Sequence, residues 1–136
     1  MSPEQLIALA KEAMTRAYAP YSGFKVGAAL LCKDGSVYQG CNIENAAYGP
    51  TNCAERTAVF KAVYDGHREF VAIAVCGGKD GVLTGAFPPC GVCRQVLREF
   101  CRDDFLVYVA GAQGHYETYT LAQLLPHSFN AEEHMH

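Results

Sequence analysis

Phe70-Val71-Ala72-Ile73-Ala74-Val75-Cys76 is an apolar run with no polar interruption. A strand with one wet face alternates apolar and polar residues, whereas a strand covered on both faces reads as a near-continuous apolar run. The segments flanking it read as helices. Before it, from about Cys53 to Tyr64, Ala58, Val59, Ala62 and Val63 are available for a buried face. After it, beyond a Gly- and Pro-rich loop over Gly77 to Pro89, Cys90 to about Cys101 places Val92, Val96, Leu97 and Phe100 at helical spacing. A buried strand between two helices requires crossover connections and partly parallel pairing.

Working outward, Phe24 to Cys32 and Val37 to Ile43 form a hairpin across Lys33-Asp34-Gly35-Ser36. Ser2-Pro3-Glu4-Gln5 opens an N-terminal helix, with Ser as N-cap, Pro at the first helical position and Gln at the third. Leu6, Ala10, Ala13, Met14 and Ala17 give that helix its buried face. Ala19-Pro20-Tyr21-Ser22-Gly23 ends it, and Asn45 to Asn52 is a loop. Toward the C-terminus, Phe105 to Ala110 reads as a strand, Gly111 to Gly114 as a turn, and His115 to Tyr119 as an exposed last strand. Thr120-Leu121-Ala122-Gln123 is a capping box for a short helix that stops at Pro126, and the polar tail from Asn130 is expected to be mobile. The expected architecture is α/β: a three-layer α/β/α sandwich around a mixed five-stranded sheet, in one domain over residues 1–136.

Composition narrows the function. Half of the 136 residues are hydrophobic and 18% are charged, below the roughly 25% of soluble domains. With eight Tyr and seven Phe to place, the surface is expected to be covered in part by further copies of the chain. A net charge of −3 argues against a nucleic-acid polymer as partner. The longest run in the first hairpin, Val26 to Cys32, is too short for a bilayer, and no secretion signal is evident. Seven Cys without such a signal read as reduced thiols, which points to a cytoplasmic setting. Cys32, Cys41, Cys76 and Cys101 fit as small buried hydrophobes.

The other three cysteines carry chemistry. Cys53, Cys90 and Cys93 fall at the starts of the two helices flanking the buried strand, where unpaired amides and the helix dipole favour thiolates. Three thiolates fill three corners of a tetrahedral zinc site and leave the fourth open, as in a catalytic centre. Glu55, two residues beyond the first thiolate, can stand near the metal without binding it. Three thiolates and Zn²⁺ sum to a net negative centre, so a cation is needed nearby. Arg56 is one turn beyond Cys53 and is favoured over Arg94, which is expected to face solvent. Other readings stay open. Cys90-Gly91-Val92-Cys93 also fits a redox pair, a closed site could recruit His67, His115 or His127, and Asn52-x-x-Glu55 is also a capping box.

Cys53-Ala54-Glu55 with Pro89-Cys90-x-x-Cys93 resembles the zinc-deaminase signature in its three-cysteine form. More closely, the chain resembles the small homotetrameric cytidine deaminases, from Tyr18-Ala-Pro-Tyr-Ser-Gly-Phe-Lys-Val-Gly-Ala-Ala29 through Gly40-Cys-Asn-Ile-Glu-Asn-Ala-Ala-Tyr48, Cys53-Ala-Glu-Arg-Thr-Ala58 and Cys90-Gly-Val-Cys-Arg-Gln95 to Leu124-Leu-Pro126. The resemblance implies one zinc per subunit on Cys53, Cys90 and Cys93, and a proton-shuttling Glu55. It implies ribose contacts from Asn42 and Glu44, packing of Phe24 on the pyrimidine, and an Ala54 amide on the base carbonyl. It assigns Arg56 and Gln95 to support of the thiolates, and Tyr48 and Phe129 to the site of a neighbouring subunit. Gly49-Pro50 and Pro126-His127-Ser128-Phe129 depart from the family's usual form.

The implied reaction is hydrolysis of cytidine and deoxycytidine to their uridine counterparts and ammonia, in pyrimidine salvage. Strand alternation puts Asn42 and Glu44 on one face, where an amide and a carboxylate can meet adjacent hydroxyls and repel a phosphate. The alternatives are a blasticidin-type aminonucleoside deaminase, a polynucleotide editor, and a non-catalytic zinc or redox module.

Overall fold

The computed structural model describes residues 1–83 and 87–135. The elements follow in the order α1 (Pro3–Met14), β1 (Phe24–Cys32), β2 (Val37–Cys41), α2 (Ala54–Tyr64), β3 (Phe70–Lys79), α3 (Gly91–Phe100), β4 (Leu106–Ala110), β5 (Tyr116–Thr120), α4 (Leu121–Leu124) and α5 (Ala131–His134). The five strands form one mixed sheet in the order β2-β1-β3-β4-β5. Strand β1 pairs antiparallel with β2 and β3, β3 pairs parallel with β4, and β4 pairs antiparallel with β5. The apolar run 70–76 is therefore the centre of the sheet, as its pattern requires.

Alternation along the strands sorts side chains into two cores. Ala28, Leu30 and Cys32 of β1, Ile73 and Val75 of β3, and Val107 and Val109 of β4 pack with Ala54, Ala58, Val59, Ala62 and Leu97 of α2 and α3. The intervening Ala29, Ala72, Ala74, Cys76 and Ala110 face the other way, against Leu6, Ile7, Ala10 and Met14 of α1. Small residues dominate this second face because α1 lies close to the sheet. A Cβ on Gly27 would stand 2.0 Å from the Ala10 carbonyl oxygen. On the other face, a Cβ on Gly40 would stand 2.4 Å from the Ala54 carbonyl oxygen and 2.5 Å from the Ala58 nitrogen. Gly40 thus lets the first turn of α2 rest directly on β2.

Several boundaries differ from the sequence reading. Strand β3 runs on to Lys79, because Gly77, Gly78 and Lys79 pair with Val26, Lys25 and Phe24. Strand β2 ends at Cys41, after which Ile43 is bridged on one side by Tyr18 and on the other by Asn52. Segment 42–44 is thereby clamped between the chain leaving α1 and the chain entering α2. The polar tail, expected to be mobile, carries a turn of helix, with the Asn130 side chain capping Glu133 N–H and Phe129 stacked on His134. Cys32, Cys76 and Cys101 are buried, and burial pushes their thiols up to about 11, about 11 and about 12. Cys41 is only half-buried, and its thiol donates to the Arg16 carbonyl. Among the described residues, no helix is long and apolar enough to cross a membrane.

Candidate active site

Helices α2 and α3 follow β2 and β3, both antiparallel neighbours of β1, so both helices start from the same end of the sheet. Cys53 is the N-cap of α2 and Cys90 the N-cap of α3, with Cys93 in the first turn of α3. Among the described residues, neither cap side chain accepts a hydrogen bond from a backbone N–H of its helix, which leaves both sulfurs to other partners. The three sulfurs lie within 4.8 Å of one another, with Cys53 Sγ 3.8 Å from Cys90 Sγ and Cys90 Sγ 3.4 Å from Cys93 Sγ. Zn–S bonds of about 2.3 Å at the tetrahedral angle separate sulfurs by about 3.8 Å, so the three donors fit a zinc ion almost without adjustment. The donor set also suits this ion: soft thiolates select zinc over hard cations.

Electrostatics at the sulfurs follow the charge argument. Arg56 Nη2 donates to Cys53 Sγ at 3.1 Å. Cys53 is pushed down to about 5, first by the hydrogen bond from Cys93 and then by Arg56. Cys93, sharing that proton in a buried position beside Glu55, is pushed up. Among the described residues, the buried Arg56 Nε has no hydrogen-bond partner. Arg94 does not face solvent. Its Nε donates to the Pro89 carbonyl and its Nη1 to the Leu124 carbonyl, each at 2.6 Å, which ties the start of α3 to the end of α4. These two backbone oxygens are far apart in sequence, so nothing in the local pattern announces them.

Glu55 is buried, 5% exposed, within the first turn of α2. The capping box with Asn52 does not form: Cys53 is the N-cap, and Asn52 Nδ2 donates to Thr57 Oγ1 instead. Burial, with a smaller push from the Cys53 charge, raises the Glu55 carboxyl to about 7. A carboxyl poised near neutrality can both take and return a proton.

A cleft of about 370 Å³ is lined by Tyr21, Ser22, Glu44, Asn45, Tyr48 and Thr51, the last of these in the segment that leads into Cys53. Glu44 accepts from Tyr21 N–H at 3.0 Å, from Ser22 N–H at 3.1 Å and from the Ser22 hydroxyl. These bonds hold its carboxyl below the usual value, the Ser22 hydroxyl most strongly. A carboxylate offers about four acceptor sites, so one remains for a ligand. Asn42 is buried, its Oδ1 accepting from Val26 N–H and its Nδ2 donating to the Phe24 carbonyl, both at 2.8 Å. It therefore also fixes the backbone beneath Phe24. Phe24 is 40% exposed, edge-on to Phe87, with the Lys79 ammonium 5.3 Å from its ring centre. Ala54 opens α2, so its N–H is one that the helix leaves without an internal acceptor.

One residue expected to support the thiolates is engaged elsewhere. Gln95 Nε2 donates to the Phe129 carbonyl at 2.9 Å, so its amide steadies the C-terminal segment rather than a thiolate. Tyr48, in the lining of the Glu44 cleft, and Phe129, stacked on His134, are 81% and 58% exposed. His67 stands away from the three sulfurs, with Cys32 and Asp34. The roles of Tyr21 and Ser22 escaped the sequence reading, which took them only as the end of a helix.

Comparison with known proteins agrees with this geometry. A family model, the cytidine and deoxycytidylate deaminase zinc-binding region, matches residues 1–109. Cytidine deaminase of Sporosarcina psychrophila is 53% identical over 133 residues, 98% of this chain and 95% of that protein. The crystal structure of cytidine deaminase from Burkholderia pseudomallei superposes with a TM-score of 0.87 at 49% identity, over 95% of this chain and 100% of that one. Cytidine deaminase from Mycobacterium tuberculosis gives 0.81 at 38% identity, over 95% and 98%. With three sulfurs convergent at paired helix starts and likeness over nearly its whole length, this chain belongs to the zinc-binding cytidine and deoxycytidylate deaminase family.

Proposed function

We propose that the chain hydrolyses cytidine and 2′-deoxycytidine to uridine and 2′-deoxyuridine, releasing ammonia, in pyrimidine salvage. The observation that carries this reading is the buried Glu55 carboxyl beside three convergent cysteine sulfurs. Zinc held by Cys53, Cys90 and Cys93 supplies the acidification of a water, lowering its pKa from about 15.7 toward about 7. Glu55 takes that proton and places it on ring N3, which makes C4 electrophilic. The water oxygen bonds to C4, and Glu55 takes that oxygen's remaining proton and passes it to the amino group, whose bond to C4 then breaks. One water is consumed and one ammonia released, so the carboxyl returns to its starting state. The Ala54 N–H faces the base carbonyl, Phe24 covers the ring, and Arg56 offsets the excess negative charge of the thiolates.

Glu44 and Asn42 set the choice between nucleoside and nucleotide. Glu44 is fixed and ionised, with one acceptor site left for a ribose hydroxyl. A second negative group beside it is disfavoured, so unphosphorylated nucleosides are preferred over deoxycytidylate. Tyr48 and Phe129, both exposed, complete the site of a neighbouring copy in a homotetramer, and the enzyme works in the cytoplasm. Steady-state kinetics with cytidine, deoxycytidine, deoxycytidylate and a blasticidin-type aminonucleoside test the specificity. The nucleosides are expected to give the highest kcat/KM, and Glu44→Gln to narrow the gap to deoxycytidylate. Faster turnover of deoxycytidylate, or of the aminonucleoside, would overturn the assignment.

A further inference from the structure

The far end of α2 holds a second convergence of metal-binding side chains. Cys32 Sγ, an Asp34 carboxylate oxygen and a His67 ring nitrogen all lie within 4.8 Å of one another. Helix α2 has 11 residues, so this cluster stands roughly 16 Å along the helix from the cysteine triad at its start. The two groups share no ligand.

The local backbone fixes all three side chains. Cys32 follows a shift in pairing register between Leu31 and Cys32, which turns the chain out of plain strand geometry. Its N–H donates to the Ser36 carbonyl, and its carbonyl accepts from Gly35 N–H. Asp34 Oδ1 accepts from Ser36 N–H, which leaves Oδ2 facing His67 Nδ1 at 3.7 Å. His67 N–H donates to the Ala62 carbonyl at the end of α2, and Tyr38 packs edge-on against its ring at 5.3 Å.

We propose that Cys32, Asp34 and His67 form a second divalent-cation site, suited to a borderline-soft ion such as Zn²⁺ or Co²⁺. The mixed sulfur, nitrogen and oxygen set matches such an ion and suits neither Ca²⁺ nor Mg²⁺, which take oxygen ligands. Charge closes as well: a thiolate, a carboxylate and a divalent cation sum to zero, unlike the negative triad at the active site. Bonds of about 2.0 Å to nitrogen and oxygen and about 2.3 Å to sulfur set donor separations of about 3.3–3.5 Å. The Asp34 to His67 pair is already near that value. A nucleophilic reading of the same three residues fails on access. Cys32 is 1% exposed, so a bulky electrophile cannot reach its sulfur, whereas an ion can enter from the open Asp34 side. A bound ion ties the β1–β2 hairpin to the end of α2 and so stabilises the fold by mass action.

The test is titration of enzyme brought to one zinc per chain with Co²⁺ alone, with retained zinc measured at each point. Thiolate-to-cobalt absorption reports ligation, and the midpoint of thermal unfolding reports stabilisation. The expected result is a cobalt equivalent bound without release of zinc, with a rise in Tm. His67→Gln and Asp34→Asn, both changes at accessible side chains, should each weaken that equivalent about tenfold or more while zinc stays in place. Cobalt uptake only in exchange for zinc, or an additional equivalent unaffected by both substitutions, would overturn the proposal.

Discussion

Glu55 shows how much chemistry one buried side chain concentrates. Its burial and its place beside Cys53 set its carboxyl near neutrality, and both follow from its position in the first turn of a helix lying on the sheet. Glu55→Gln keeps the shape and removes the proton transfers, so kcat should fall by at least roughly 10²–10⁴-fold while zinc content is unchanged; rapid kinetics with metal analysis checks both. Glu44 has the opposite shift. Ser22 and Tyr21 hold it below the ordinary value of 4.5, so their bonds contribute to stability fully above that pH and are lost as pH falls through the lower folded value. Ser22→Ala removes the strongest of those bonds. The acid-side rise in KM for cytidine should then shift to higher pH, while the acid limb of kcat stays where it was. At this scale the sequence was legible wherever the partner is close by. Arg56 beside Cys53 follows from helical spacing, and the structure has it there. Arg94, whose guanidinium bridges the nearby Pro89 carbonyl to that of Leu124, and Gln95, engaged with Phe129, each depend on a backbone oxygen thirty or more residues away that no spacing rule reveals.

The secondary-structure elements place the site through two close approaches. Helix α2 rests on β2 at Gly40, and that contact fixes the height of Cys53 and Glu55 above the sheet. Gly40→Ala puts a methyl group into the Ala54 and Ala58 backbone, which must lift the first turn of α2. Overpacking of this kind costs about 1–3 kcal/mol. Because the displaced turn carries Cys53, the variant should also lose zinc more readily to a chelator than a mutant equally destabilised in the α1 layer, a comparison that denaturant unfolding and chelator competition make directly. Strands and helices were legible because their burial is one-sided or complete, and periodicity reports burial. The ends of elements were less so. Gly77 and Gly78 look like loop residues, yet they extend β3 because Lys25 and Val26 offer them a pairing edge. The clamp of Ile43 between Tyr18 and Asn52 lies outside any regular strand and left no pattern to read.

At the scale of the whole molecule, the unusual property is what stays uncovered. Tyr64 on α2, Tyr48 beside the Glu44 cleft and Phe129 near the C-terminus are 90%, 81% and 58% exposed. The proposed homotetramer would cover part of this aromatic surface on a chain with few charges. Light scattering should find a particle of four chains of 14.8 kDa, and Tyr48→Ala and Phe129→Ala should raise KM more than they change the unfolding midpoint of each chain. The most direct test of the account follows the ultraviolet absorbance of cytidine as purified enzyme converts it, with tightly held zinc measured in the same sample. The account predicts conversion to uridine with about one tightly held zinc per chain, bound through the three thiolates. Zinc retained at that level with cytidine unconverted would contradict the assigned reaction, and zinc absent with Cys90 and Cys93 joined as a disulfide would contradict the metal centre itself.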